Sequence, residues 1–291
     1  MTRIAQALKG IAEHRLEAAL GIVFALFLGL TFSHFQRATA AAPVFSPPAM
    51  EEIPAGPEGD AIRHGYEIVV NTQQHVKPYL GSTLSCRNCH LDAGRVPYAG
   101  PFVGVYTALP EYRARNAKMN TIEIRINDCF ERSMNGKPLP YDSPEMGALV
   151  SYMAWMSKGI PAKTKIIERG FGSVTLNRPG DPAKGKSLFV AKCVSCHGAD
   201  GHGTEVAPPL WGPKSYNKGA GITRISAAAS FIKRNMPPGQ GGTLTDEEAY
   251  DLATFVNSQP RPEFPNRVND WPTGGKPDDM GYWQEGSGRQ E

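Results

Sequence analysis

The chain is short of cysteine, of net charge and of long apolar runs, and each shortage narrows what it can be. Its formal net charge is only +3. Arg3, Lys9, Arg15 and Arg37 against Glu13 and Glu17 place +2 of this in residues 1–42, leaving about +1 for the rest. Nothing in that balance suits a nucleic acid or another polyanionic surface. The apolar run Ala18–Phe32 holds 15 residues, fewer than the roughly 20 of a usual spanning helix. It follows three basic residues and precedes Ala38-Thr39-Ala40, a small-residue cleavage site. Residues 1–42 therefore read either as a signal peptide or as an N-terminal membrane anchor, with Phe35 and Arg37 arguing against cleavage. Either way the remainder is expected to be exported, to the periplasm in a bacterium, with membrane anchoring through this segment left open.

The five cysteines are an odd number, and four fall in two Cys-x-x-Cys-His motifs. These are Cys86-Arg87-Asn88-Cys89-His90 and Cys193-Val194-Ser195-Cys196-His197. In this spacing the two sulfurs attach a c-type haem covalently and the histidine is its proximal iron ligand. A disulfide framework would leave both histidines unexplained, although the compartment would permit one. A zinc site fails because no second Cys-x-x-Cys or histidine pair completes either set. Two covalently bound haem c groups are the cofactors this predicts. The 25 prolines and 31 glycines suit loop-rich domains in which haem replaces much of the side-chain core.

The expected fold is mainly α, with two tandem cytochrome c domains, each wrapped around its haem. The first spans residues 43–161, a linker covers 162–180, the second domain spans 181–262, and 263–291 form a C-terminal tail. Helices are expected from about Gly59, over Thr121–Met134 with Asn135-Gly136 as its stop, and over Pro144–Ser157. Further helices are expected over Pro182–Ala191, Ile225–Arg234 and Thr245–Asn257, the last opening on Thr245-Asp246-Glu247-Glu248.

An internal repeat gives the fifth cysteine a role. His197 and Met236 are 39 residues apart, and so are His90 and Cys129. Met236 lies in a Met-Pro loop, where a small cytochrome c carries its distal ligand, with Lys233 and His202 as competitors. Cys129 occupies the matching place for the first haem, with Met134 as the competing ligand and a buried, inert thiol as the plain alternative. On a helix Arg125, Cys129 and Ser133 share one stripe, and Ile122, Ile126 and Phe130 form an apolar stripe beside it. A guanidinium next to a thiol favours its charged form and binds oxyanions through paired hydrogen bonds. Arg113, Arg115 and Arg132 have no such neighbour in the pattern, and each is as well explained by a solvated helix face.

With its two haem motifs, its trailing Met-Pro loop and the run Arg-Ile-Asn-Asp-Cys-Phe-Glu-Arg-Ser (125–133), the sequence resembles the dihaem, tetrathionate-forming thiosulfate dehydrogenases over roughly residues 55–262. In that family the cysteine ligates the active-site haem and is essential. The resemblance implies that role for Cys129, with Arg115, Arg125 and Ser133 lining the substrate site. Some members place a lysine directly before the methionine as an alternative ligand. Asn235 stands there in this chain, which favours plain His197/Met236 ligation. The implied reaction joins two thiosulfates as tetrathionate and passes electrons through the second haem to a soluble or membrane-associated cytochrome c-type acceptor. Three other readings compete: the same chemistry run as a tetrathionate reductase, a non-enzymatic dihaem electron carrier, and a cytochrome subunit of a multienzyme sulfur-oxidation complex.

Overall fold

The computed structural model describes residues 45–280, and the expected signal or anchor segment lies outside them. Six main helices carry the architecture: α1 (Pro57–Val70), α2 (Ile122–Asp128), α3 (Pro144–Trp155), α4 (Pro182–Lys192), α5 (Ile225–Asn235) and α6 (Asp246–Ser258). Their starts follow local chemistry. Ser143 and Thr245 accept hydrogen bonds from Met146 and Glu248 amides at 3.1 Å, and the Glu248 carboxylate accepts one from the Thr245 amide at 2.9 Å. Asp181 does the same for Ala183 and Lys184 at the head of α4. Helix α1 begins two residues earlier than expected, because Pro57 fits the first helical position.

Each half is built on a crossing of its first and last helices, α1 on α3 and α4 on α6. Both crossings turn on a glycine. A Cβ on Gly65 would meet the Ala148 carbonyl oxygen at 2.1 Å, and one on Gly185 would meet that of Asp251 at the same distance. The backbones therefore approach more closely than any side chain would allow. Around the first crossing Ile62, Ile68, Val69, Leu149 and Tyr152 are buried; around the second, Phe189, Leu252, Ala253 and Val256.

Three segments were not foreseen as they stand. A small antiparallel hairpin pairs β1 (Glu111–Arg113) with β2 (Lys118–Asn120). The connection at 162–180 is bonded on both sides: Tyr98 and Gly100 amides donate to Glu168 and Gly170 carbonyls, and the Val174 amide donates to Ser226. Arg169 also pairs with Glu111 at 2.9 Å, which ties the connection to the hairpin. The two halves meet along an apolar seam of Leu84, Met134, Tyr216 and Ala220. The C-terminal segment then crosses this seam, with Asp270 buried on one side and the Asp279 carboxylate accepting from the Ser226 amide on the other.

Candidate functional site

The first Cys-x-x-Cys-His motif lies on a tight turn, Cys86–Asn88, whose Cys86 amide donates to Thr72 Oγ1 at 2.9 Å. The imidazole of His90 uses Nδ1 on the Gly100 carbonyl, and its ring stacks 4.5 Å from Phe102. In the tautomer that donates Nδ1–H, Nε2 is left as the free ligand atom. Burial lowers the pKa of His90 to about 4, against the pull of the Gly100 bond, and the nearby Arg125 guanidinium lowers it further. The ring is therefore neutral, as a metal ligand must be. Burial likewise raises Cys86 to about 11 and Cys89 to about 12, and Cys129 adds to both rises. The fold thus brings Cys129 and Arg125 to the first attachment motif.

The second motif repeats the arrangement. His197 donates Nδ1–H to the Pro208 carbonyl at 2.9 Å, and burial lowers its pKa. Met236 is half-buried at the end of α5. Its sequence competitors are held elsewhere: Lys233 pairs with Asp246, and the imidazole of His202 lies 3.3 Å from Asp200. Met134, the competitor at the first site, is 4% exposed in the seam between the halves.

The donor set fits two haems. Both histidines present a free Nε2, and all four motif cysteines are unpaired thiols. Two buried donors, Trp155 Nε1 in the first half and Arg261 Nε in the second, have no protein partner and are of the type that a haem carboxylate satisfies.

Helix α2 delivers Cys129. Thr121 caps it, and Ile122, Ile126 and Phe130 are buried as the apolar stripe predicts. Asn127 fixes it to the following loop, exchanging hydrogen bonds with Leu139 at 3.0 and 2.8 Å. From Cys129 to Ser133 the helix widens into a π turn, in which the Met134 amide donates to the Cys129 carbonyl at 2.9 Å. This corrects the continuous α-helix expected over Thr121–Met134. Arg125 is 38% exposed and only loosely paired, its nearest carboxylate being Asp128 at 3.9 Å.

Arg115 is placed differently. It donates to Asp270 at 2.9 Å and to the Gly219 carbonyl at 2.7 Å, and it lies over the Trp271 ring. Arg132 grips the same carboxylate with two bonds, at 2.9 and 2.8 Å. Sequence reasoning missed this cluster, since Asp270 stands in a Pro- and Gly-rich tail with no local pattern to mark it. Two arginines that the sequence pattern leaves as solvated side chains are thus joined to this acid only in the fold.

Residues 77–162 match the family model described as SoxA/TsdA, cytochrome c domain, and residues 180–256 match that of cytochrome C oxidase, cbb3-type, subunit III. The chain is 42% identical over 233 residues to a thiosulfate dehydrogenase of Allochromatium vinosum, covering 77% of this chain and 86% of that protein. A thiosulfate dehydrogenase of Psychrobacter arcticus is also 42% identical, over 244 residues, 82% of this chain and 75% of that one. Among solved structures, the thiosulfate dehydrogenase TsdBA from Marichromatium purpuratum in its as-isolated form is similar with a TM-score of 0.72 and 37% identity. That match covers 79% of this chain, which spans about half (52%) of the solved one.

Proposed function

The chain belongs to the thiosulfate dehydrogenase family and carries two covalently bound haem c groups, and we propose that it couples two thiosulfates oxidatively into tetrathionate at the first site. The observation that carries this reading is the convergence of Cys129, Arg125 and the Cys86/Cys89/His90 motif at one place. An electron carrier has no use for a thiol beside a half-exposed guanidinium.

His90 and Cys129 would hold the iron of the first haem, and His197 and Met236 that of the second. When bound, the haems supply one-electron acceptors, two of them for the two electrons of the coupling. The residues do the rest. The Cys129 thiolate bonds to the sulfane sulfur of one thiosulfate dianion, giving a cysteine S-thiosulfonate monoanion and releasing two electrons. The sulfane sulfur of a second thiosulfate then attacks the outer sulfur of that adduct. The new sulfur–sulfur bond gives tetrathionate dianion, and the Cys129 thiolate leaves unchanged. Arg125 offsets repulsion between the incoming dianions and orients a sulfonate through paired N–H donors. Electrons pass to a cytochrome c-type acceptor outside the chain. The same reading puts the haem domains in the periplasm, where covalent haem attachment and the export-type N-terminus agree.

The purified holoprotein should form tetrathionate from thiosulfate with ferricyanide as acceptor. Cys129→Gly, with both haems attached, should lose at least 99% of that turnover. Full turnover in the variant would remove Cys129 from the chemistry.

A further inference from the structure

The π turn that presents Cys129 has two backbone bonds of its own, the Met134 amide on the Cys129 carbonyl and the Gly136 amide on that of Phe130, both at 2.9 Å. Asn135 takes a left-handed conformation (φ 49°) and ends the helix, so the carbonyls of the last turn need outside partners. Two of them find the same residue of the second half: Asn217 Nδ2 donates to the Glu131 carbonyl at 2.7 Å, and the Asn217 amide donates to that of Arg132 at 3.2 Å. Arg132, three positions beyond Cys129, is in turn fixed by its paired bonds to Asp270, whose side chain is 3% exposed. Arg115 reaches the same carboxylate from the end of the hairpin, and its own carbonyl accepts from the Trp271 amide at 2.7 Å. One carboxylate of the C-terminal segment therefore joins two arginines of the first half above a loop of the second.

We propose that Asp270 is a positioning residue for the thiosulfate reaction: through Arg132 it sets the turn that aims the Cys129 sulfur. This rests on Cys129 being the reacting sulfur. A buried carboxylate with paired, charge-assisted bonds gives its partners one geometry, and it adds to the two backbone bonds of a short π turn a constraint on where that turn sits. A misplacement of about 1 Å in a reacting group can cost about 100-fold in rate. Arg125 lies on the other side of Cys129, so anion capture should be affected less than chemistry.

The test uses the holoprotein with Asp270→Asn, which keeps the shape and removes the charge, and Asp270→Glu as the conservative variant. Asp279→Asn serves as a control in the same segment, since Asp279 caps α5, the helix that ends at Met236. With both haems attached, Asp270→Asn should lower kcat for thiosulfate 10- to 100-fold while KM moves less than about threefold. Its electron paramagnetic resonance should replace the single narrow-spread thiolate signal of the first haem by a heterogeneous set. Asp270→Glu should recover part of both, and Asp279→Asn should leave the first-haem signal native. Should Asp270→Asn fail to assemble, Arg132→Lys keeps the positive charge without the paired bonds and should show the same heterogeneity. Native kcat and a native first-haem signal in whichever of these two variants assembles would overturn the proposal. If instead Cys129→Gly keeps its turnover, the reading of Cys129 fails first, and the latch falls with it. An inactive Cys129→Gly beside a fully active Asp270→Asn sinks the latch alone.

Discussion

Arg125 and Arg132 flank Cys129, with Asp128 between them at 3.9 and 3.7 Å. They differ in what else they hold. Arg132 has 11% of its side chain exposed and is committed to Asp270, whereas Arg125 keeps 38% exposed beside the reacting sulfur. Arg125→Ala should therefore raise KM for thiosulfate about tenfold, in line with roughly 1.5–3 kcal/mol for a charge-assisted hydrogen bond, with a smaller effect on kcat. The penalty should shrink at high ionic strength, where screening already weakens the contribution of an exposed cation. Steady-state kinetics with ferricyanide at two salt concentrations would show this, and an unchanged KM would place the anion elsewhere. Arg115 illustrates how family likeness and geometry can part. The resemblance implies a substrate contact for Arg115, and in the fold its guanidinium bonds Asp270, 155 positions away.

At the level of helices, the second half depends on one ion pair at its crossing. Asp251 on α6 accepts two bonds from Arg178, at 2.8 and 2.9 Å, and one from the Asp181 amide at the head of α4. Burial alone would raise its pKa, but these bonds outweigh it and hold the carboxylate below its ordinary value. A depressed folded-state pKa adds stability above the ordinary carboxylate range and loses it as pH falls through the lower folded value. Arg178→Ala removes the largest of the bonds that lower it and leaves the burial and the Asp181 amide, so acid unfolding of this domain should begin at a higher pH. Circular dichroism during acid titration would report the shift, and superimposable curves would count against it. The helices were legible in the sequence because their signals are local, such as Thr245 opening α6 and Ile122, Ile126 and Phe130 at helical spacing. The π turn was not, because Asn217 and Asp270 stabilise it from far along the chain. The three-residue strands were too short to show alternation.

For the molecule as a whole, the segment after α6 is a strap across both sites. Asp270 holds the turn behind Cys129, and Asp279 meets the first residues of α5, whose other end carries Met236. A chain stopped after Pro262 would still possess both attachment motifs, Cys129 and Met236, since Cys86 through Met236 precede the stop. It should therefore bind its full pigment and look complete by absorbance, yet turn over thiosulfate at least tenfold more slowly than the full chain. Comparing haem per polypeptide with tetrathionate formed per haem would separate the two properties, and equal specific activity would deny the strap any part in them. Maturation on this view has two stages that need not coincide, loading and then fastening. A preparation nicked after Pro262 would be red and slow, so colour would measure how much protein was made and not how much of it works.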